Sequence, residues 1–117
     1  MAERDFLDKM IAKRTARNPA FPQMLNAGRR RRELLRTLAE RREEQNQTQT
    51  AVAAAMATSQ SFVARLESTA ADAKVSTVER YAGTLGYVVQ YHLVPLDQSA
   101  DEPTVVVHES ASVSKGV

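Results

Sequence analysis

TQTAVAAAMATSQSFVARLE, residues 48–67, decides the reading of this chain. It is rich in alanine and carries one polar island, Thr58-Ser59-Gln60-Ser61. Thr48 is a strong helix N-cap, with a hydroxyl able to accept from a free backbone N–H. The helix it opens runs to about Met56 or Ala57. Ser59 is a good N-cap for a second helix, Gln60 to Glu67. Two helices joined so tightly can cross steeply only where the side chains between them are small. Ala53, Ala54 and Ala57 are expected to allow that approach, and Val52, Met56, Val63 and Leu66 to supply the buried contacts. Gln60 and Ser61 then face outward at the start of the second helix, with Ala64 and Arg65 one turn on.

A helix that enters the major groove of DNA reads base edges from its N-terminal end. Glutamine pairs bidentately with adenine, arginine with guanine, and serine with several bases. The polar island lies where such a helix would meet a duplex. The plainer alternative is that Gln60 and Ser61 are exposed helix-start residues. Arg65 has its own alternative, pairing with Asp72 or with an acid of the first helix.

Outward from this stretch, residues 29–44, RRRRELLRTLAERREE, read as a helix with an apolar stripe of Leu34, Leu35, Leu38 and Ala39. Arg29–Glu33 and Arg36–Glu40 stand at i,i+4 spacing. Four consecutive arginines point around the helix, so they read as solvated surface with one or two within reach of a polyanion. Residues 3–17 read as a first helix with Phe6, Leu7, Met10 and Ile11 at helical spacing. Asn18-Pro19 ends it, because proline disfavours helix at the preceding residue. Pro22 suits the first turn of a second stretch. Phe21, Met24 and Leu25 are expected on its buried side, and Gly28 is placed to bend or interrupt it. On the C-terminal side, Val75-Ser76-Thr77 leads into a helix burying Val78, Tyr81, Ala82 and Leu85, stopped by Gly86. Tyr87 to Val94 is β-branched and aromatic with partial alternation, which reads as a strand ended by Pro95. Thr104 to Val107 reads as a second short strand. His92 and His108 read as satisfied or exposed imidazoles.

Composition limits the classes of function. The chain has 117 residues, 43% hydrophobic and 26% charged, and no cysteine. It can hold no disulfide, thiolate metal site or cysteine nucleophile. There is no apolar run of membrane-spanning length, and the charged N-terminus is unlike a signal peptide, so a cytoplasmic, nucleoid-associated protein without a membrane partner is expected. Residues 1–50 carry 12 Lys/Arg against 7 Asp/Glu, while residues 51–117 carry 4 against 7. A basic N-terminal half suits a polyanionic partner weakly. With no glycine-rich phosphate loop, metal-spaced cluster or nucleophile beside a base, the expectation is a binding protein and not an enzyme, without cofactor or metal.

From about Leu35 to Leu85 the residues resemble the XRE-type helix-turn-helix of phage repressors and Cro. The resemblance is carried by Arg42 six residues before Thr48, the Thr48-Gln49 pair, Ala53, Met56, Ser59-Gln60, Val63 and Arg65-Leu66-Glu67. Thr77-Val78, Tyr81-Ala82 and Leu85-Gly86 continue it. It implies that Gln49 bonds a DNA phosphate and braces Gln60, that Ser59 caps the recognition helix and touches phosphate, and that Gln60, Ser61 and Arg65 face base edges. Thr48 belongs to the same DNA-binding set. Arg42 and Glu67 correspond to a structural ion pair. The chain departs from the family at Ala57, where glycine is common in the turn, and at Gln47, where an apolar residue is usual. Arg80-Tyr81-Ala82-Gly83-Thr84-Leu85-Gly86 followed by Tyr87-Val88-Val89 is also similar to short antitoxins of the HigA type.

The expected architecture is mainly α. A lambda-repressor-like helix-turn-helix domain (29–86) follows an N-terminal helical extension (1–28). After it come a short C-terminal β element (87–107) that could dimerise the chain and a flexible tail (108–117). The expected partners are double-stranded DNA, a second copy and, for an antitoxin, a toxin protein; the expected function is a homodimeric repressor. An antitoxin and a protein-binding adaptor without DNA binding are the alternatives.

Overall fold

The computed structural model describes residues 2–68, 73–97 and 103–108. Five helices follow one another: α1 (Ala2–Arg17), α2 (Phe21–Glu44), α3 (Gln49–Met56), α4 (Gln60–Ser68) and α5 (Val75–Thr84).

Asn18 ends α1 as its composition suggests, with its side-chain oxygen accepting from Ala20 N at 3.1 Å in an Asx turn. α2 begins with Pro22 in its first turn, where a missing N–H costs nothing. It then runs unbroken through Gly28 to Glu44, so Gly28 does not interrupt it. An interior glycine costs a helix only about 0.5–1 kcal/mol relative to alanine. The strong formers of residues 31–44 offset that.

The core lies between the second half of α2 and the three short helices. Leu35 and Leu38 of α2, Val52, Ala53 and Met56 of α3, Val63 and Leu66 of α4, and Val78, Tyr81, Ala82 and Leu85 of the α5 region are all buried. Leu34, Ala73, Tyr87 and Val89 pack against this cluster. Of the alanines expected between α3 and α4, Ala53 alone is buried, while Ala54 and Ala57 are exposed. The N-terminal apolar residues stay outside the core: Phe6, Leu7, Ile11, Met24 and Leu25 are exposed. α1 therefore has helical periodicity without a buried face. The side chain of Phe21 lies outside the described residues.

Three helices end in the same way. After α5, Gly86 takes a left-handed backbone at φ 87°, Gly86 N donates to Gly83 O at 3.1 Å and Tyr87 N to Ala82 O at 2.9 Å. This is the Schellman motif, which satisfies carbonyls at a helix end. Asn46 repeats it after α2 at φ 59°, with Gln47 N on Arg42 O. Ala57 repeats it after α3 at φ 59°, ψ 45°, with Thr58 N on Ala53 O at 2.9 Å. Alanine thus takes the family's glycine geometry, at a cost of about 1–2 kcal/mol for the left-handed conformation.

The expected β element is not there. Among the described residues there is no β-strand, neither at 87–94 nor at 104–107. Tyr87 and Val89 lean on the core, but Val88, Tyr91, Leu93 and Leu96 are exposed, Leu93 almost completely at 99%. Strand-forming residues make a sheet only where a second strand accepts their hydrogen bonds, and among the described residues none lies alongside. The segment is instead held to α5 by Tyr91, whose hydroxyl donates to Glu79 at 2.5 Å. The tail from 109 onward lies outside the described residues.

Ala57→Gly is expected to raise stability by about 0.5–1 kcal/mol, and Ala57→Val to lower it by more than that. Urea unfolding followed by circular dichroism would show both shifts.

Candidate nucleic-acid interface

The turn between α3 and α4 is built from caps on both sides. Thr48 Oγ1 accepts from Ala51 N at 3.0 Å and opens α3. Ala57 and Thr58 close it. Ser59 Oγ then accepts from Phe62 N at 3.1 Å, capping α4, and lies 3.2 Å from Ser61 Oγ. Both caps are the ones their residue types favour.

α4 has two unlike sides. Val63 and Leu66 are buried in the core, while Gln60, Ser61 and Arg65 are exposed. The Arg65 guanidinium lies 6.0 Å from the centroid of the Phe62 ring, at the outer limit of a cation–π contact. Asp72, the alternative partner of Arg65, lies outside the described residues. Thr48 is exposed and Gln49 half-buried at the start of α3. Across the turn, Gln60 Nε2 donates to Gln49 Oε1 at 2.6 Å.

Behind them lies a polar network. Arg42 Nε donates to Glu67 Oε2 at 2.7 Å and Arg42 Nη2 to Glu67 Oε1 at 3.1 Å, a bidentate geometry that strengthens such pairs. Arg42 Nη1 also donates to the backbone carbonyl of Gln47 at 2.8 Å, a contact that any residue at position 47 would supply. Gln49 Nε2 donates to Glu67 Oε1 at 2.9 Å, and the buried Tyr81 hydroxyl donates to Glu67 Oε2. Both charged side chains are about nine-tenths covered.

Burial alone would push the Glu67 carboxyl up, but the donors from Arg42, Tyr81 and Gln49 together outweigh it and hold the group below its ordinary value of 4.5. Burial, and then the neighbouring carboxylate, pushes the Tyr81 phenol well above the usual phenol range. The cluster is therefore a carboxylate, a guanidinium and a neutral phenol at neutral pH.

The structure contains the Thr48 and Ser59 caps and the Arg42–Glu67 and Gln49–Gln60 contacts, of which the last two were implied only by the family resemblance. Two members were not legible. Tyr81 reads as a core residue from its spacing; a hint lay in the rule that a buried tyrosine hydroxyl needs a partner. Gln45, whose Nε2 donates to Leu85 O at 2.9 Å and ties α2 to the end of α5, left no signal beyond its polarity. Of the arginines at 29–32, Arg31 is half-buried and the others are exposed. Arg29 donates to Asn26 and not to Glu33.

Comparison with known families matches residues 33–87 to the helix-turn-helix domain. A helix-turn-helix domain of the XRE and Cro type is therefore present, with α3, the turn and α4 at its centre. No curated protein and no solved structure gives a match, and nothing in the comparison singles out the HigA subtype. No helix among the described residues is long and apolar enough to cross a membrane.

Glu67→Gln is expected to cost about 3–5 kcal/mol, because it strands the Arg42 charge in the interior. Replacing Arg42, Glu67 and Tyr81 together by Met, Leu and Phe should cost far less. Thermal or urea unfolding measures both. Since folding lowers the Glu67 pKa, its stabilisation is fully present above the unfolded-state value and lost as pH falls through the folded-state value. The stability difference between wild type and Glu67→Gln should accordingly shrink below pH 4.5, which unfolding curves at stepped acid pH would reveal.

Proposed function

We propose that this protein is a sequence-specific DNA-binding transcriptional regulator that represses as a homodimer. The observation that carries this reading is the two-sidedness of α4 within a helix-turn-helix domain. Its inner side is locked in the core, while Gln60 and Ser61 stand exposed in its first turn and Arg65 in its last. In this reading Gln60, Ser61 and Arg65 meet base edges in the major groove. Thr48, Gln49 and Ser59, at the starts of α3 and α4, meet backbone phosphates. Such contacts orient the protein without reading sequence.

One recognition helix addresses few base pairs. Two copies related by a two-fold axis address half-sites about 34 Å apart, one turn of DNA. The exposed apolar residues Val88, Leu93 and Leu96 beyond α5 support contact with a second copy. A second reading, an antitoxin that represses its own operon and holds a toxin, is favoured by α1. That helix exposes Phe6, Leu7 and Ile11 and so offers an apolar face to a protein partner. Co-purification with a small toxin encoded alongside would select this second reading. A protein-binding adaptor would bind partners and no DNA.

Selection of bound duplexes from a random pool should return a palindromic site. Gln60→Ala with Arg65→Ala should weaken binding to that site about tenfold or more, with little change in melting temperature. Affinity should also fall linearly on a log–log plot against salt concentration. A pool that returns no preferred sequence would leave the adaptor as the surviving reading. Val88→Asp with Leu93→Asp is expected to convert the dimer to a monomer in light scattering.

A further inference from the structure

The hydrogen-bond network behind α4 has a direction. Glu67 is a carboxylate that accepts two hydrogen bonds from Arg42 and one from Tyr81. An ionised carboxylate can only accept. The Gln49 amide beside Glu67 Oε1 must therefore present its NH2 group, and it does, at 2.9 Å. That turns the Gln49 carbonyl away from Glu67 and towards Gln60, at the other end of α4. A carbonyl oxygen can only accept, so the Gln60 amide meets it with its own NH2, at 2.6 Å. One Gln60 N–H is thereby committed. The Gln60 carbonyl and one N–H remain for an outside ligand. From Glu67 to Gln60, no amide in the chain can flip without setting two like groups against each other.

We propose that Glu67 is a positioning residue for base readout: its carboxylate fixes the Gln49 amide, and through it decides which groups Gln60 turns towards DNA. This rests on the DNA-binding reading above and goes beyond a structural role for the Arg42–Glu67 pair. The groups left on Gln60 are one acceptor and one donor. Adenine offers the complement in the major groove, an N6 donor beside an N7 acceptor. Guanine offers two acceptors, N7 and O6, and Gln60 has only one N–H left to donate. With Gln49 free to rotate, both N–H groups of Gln60 become available and guanine gains ground. The interior ion pair thus acts as a selectivity device for a residue it never touches.

The test compares base preferences, selected from random duplexes, of wild type, Gln60→Ala, Glu67→Gln and the triple variant Arg42→Met/Glu67→Leu/Tyr81→Phe. The triple variant removes the carboxylate without stranding a buried charge, so it carries the test should Glu67→Gln fail to fold. Gln60→Ala identifies the site position that Gln60 reads. At that position wild type should prefer adenine over guanine. In the folded Glu67 variants this preference should fall about tenfold, while preferences elsewhere in the site and binding to unrelated duplex stay as in wild type. A merely structural role would lower stability or affinity at all positions alike. An adenine preference that survives in the triple variant overturns the proposal. So does a Gln60-dependent position that favours guanine in wild type. A wild-type protein that selects no sequence overturns the DNA-binding reading itself, a different failure from either of these.

Discussion

Arg42 and Glu67 bring two opposite charges into an interior too small to hide an unpaired one. Removing such groups from water is costly, and mutual attraction offsets the cost only when the remaining donors and acceptors are also satisfied. Here they are. Glu67 accepts from Arg42 of α2, Gln49 of α3 and Tyr81 of α5. A carboxylate on α4 is thereby bonded to each of the other three helices of the domain. Apolar contacts among Leu35, Val52, Met56, Val63 and Tyr81 would tolerate small slides of one helix past another. The ionic cluster does not, because hydrogen bonds weaken steeply with misalignment. It sets the register in which the core closes.

That register has a consequence at the surface. α4 is only nine residues long, too short to be stable as an isolated helix. Its position derives from Val63 and Leu66 on one side and Glu67 near its end. The N-terminal half that carries Gln60 and Ser61 is held by the Ser59 cap and by Gln49. A rod fixed in this way presents its polar groups in a constant orientation, which reduces the ordering cost of any binding. Among the described residues, the left-handed Ala57 is the one position in the turn where the backbone departs from the ordinary regions. It closes α3 without lengthening the turn.

The two ends of the chain follow another logic. α1 and the segment beyond Gly86 each carry apolar residues in a regular pattern, yet among the described residues most of them are exposed. Burial of apolar surface drives association as well as folding, and contiguous exposed apolar groups commonly mark contact surfaces. The helix-turn-helix core is thus complete in itself, while both flanks carry what a second chain could cover.

The local features were settled by the sequence alone. Thr48, Ser59 and Gly86 mark helix boundaries because a hydroxyl can cap and a glycine can turn left-handed. Arg42 and Glu67 could be paired from the family resemblance, and the outward set Gln60, Ser61 and Arg65 from helical spacing. Where partners decide the outcome, the sequence was silent or misled. Tyr87 to Val94 has the residues of a strand, but a strand exists only beside another. Gly28 has the residue type of a break, but the helix on either side carried through. Phe6, Leu7, Met24 and Leu25 have the spacing of a buried face, but none of the described residues covers it. Tyr81 and Gln45 bond to Glu67 and Leu85, residues far away in sequence, and only the packing of helices brings donor and acceptor together. Periodicity and capping are properties of a few adjacent residues. Pairing and burial belong to surfaces that meet, and those were decided by the tertiary structure.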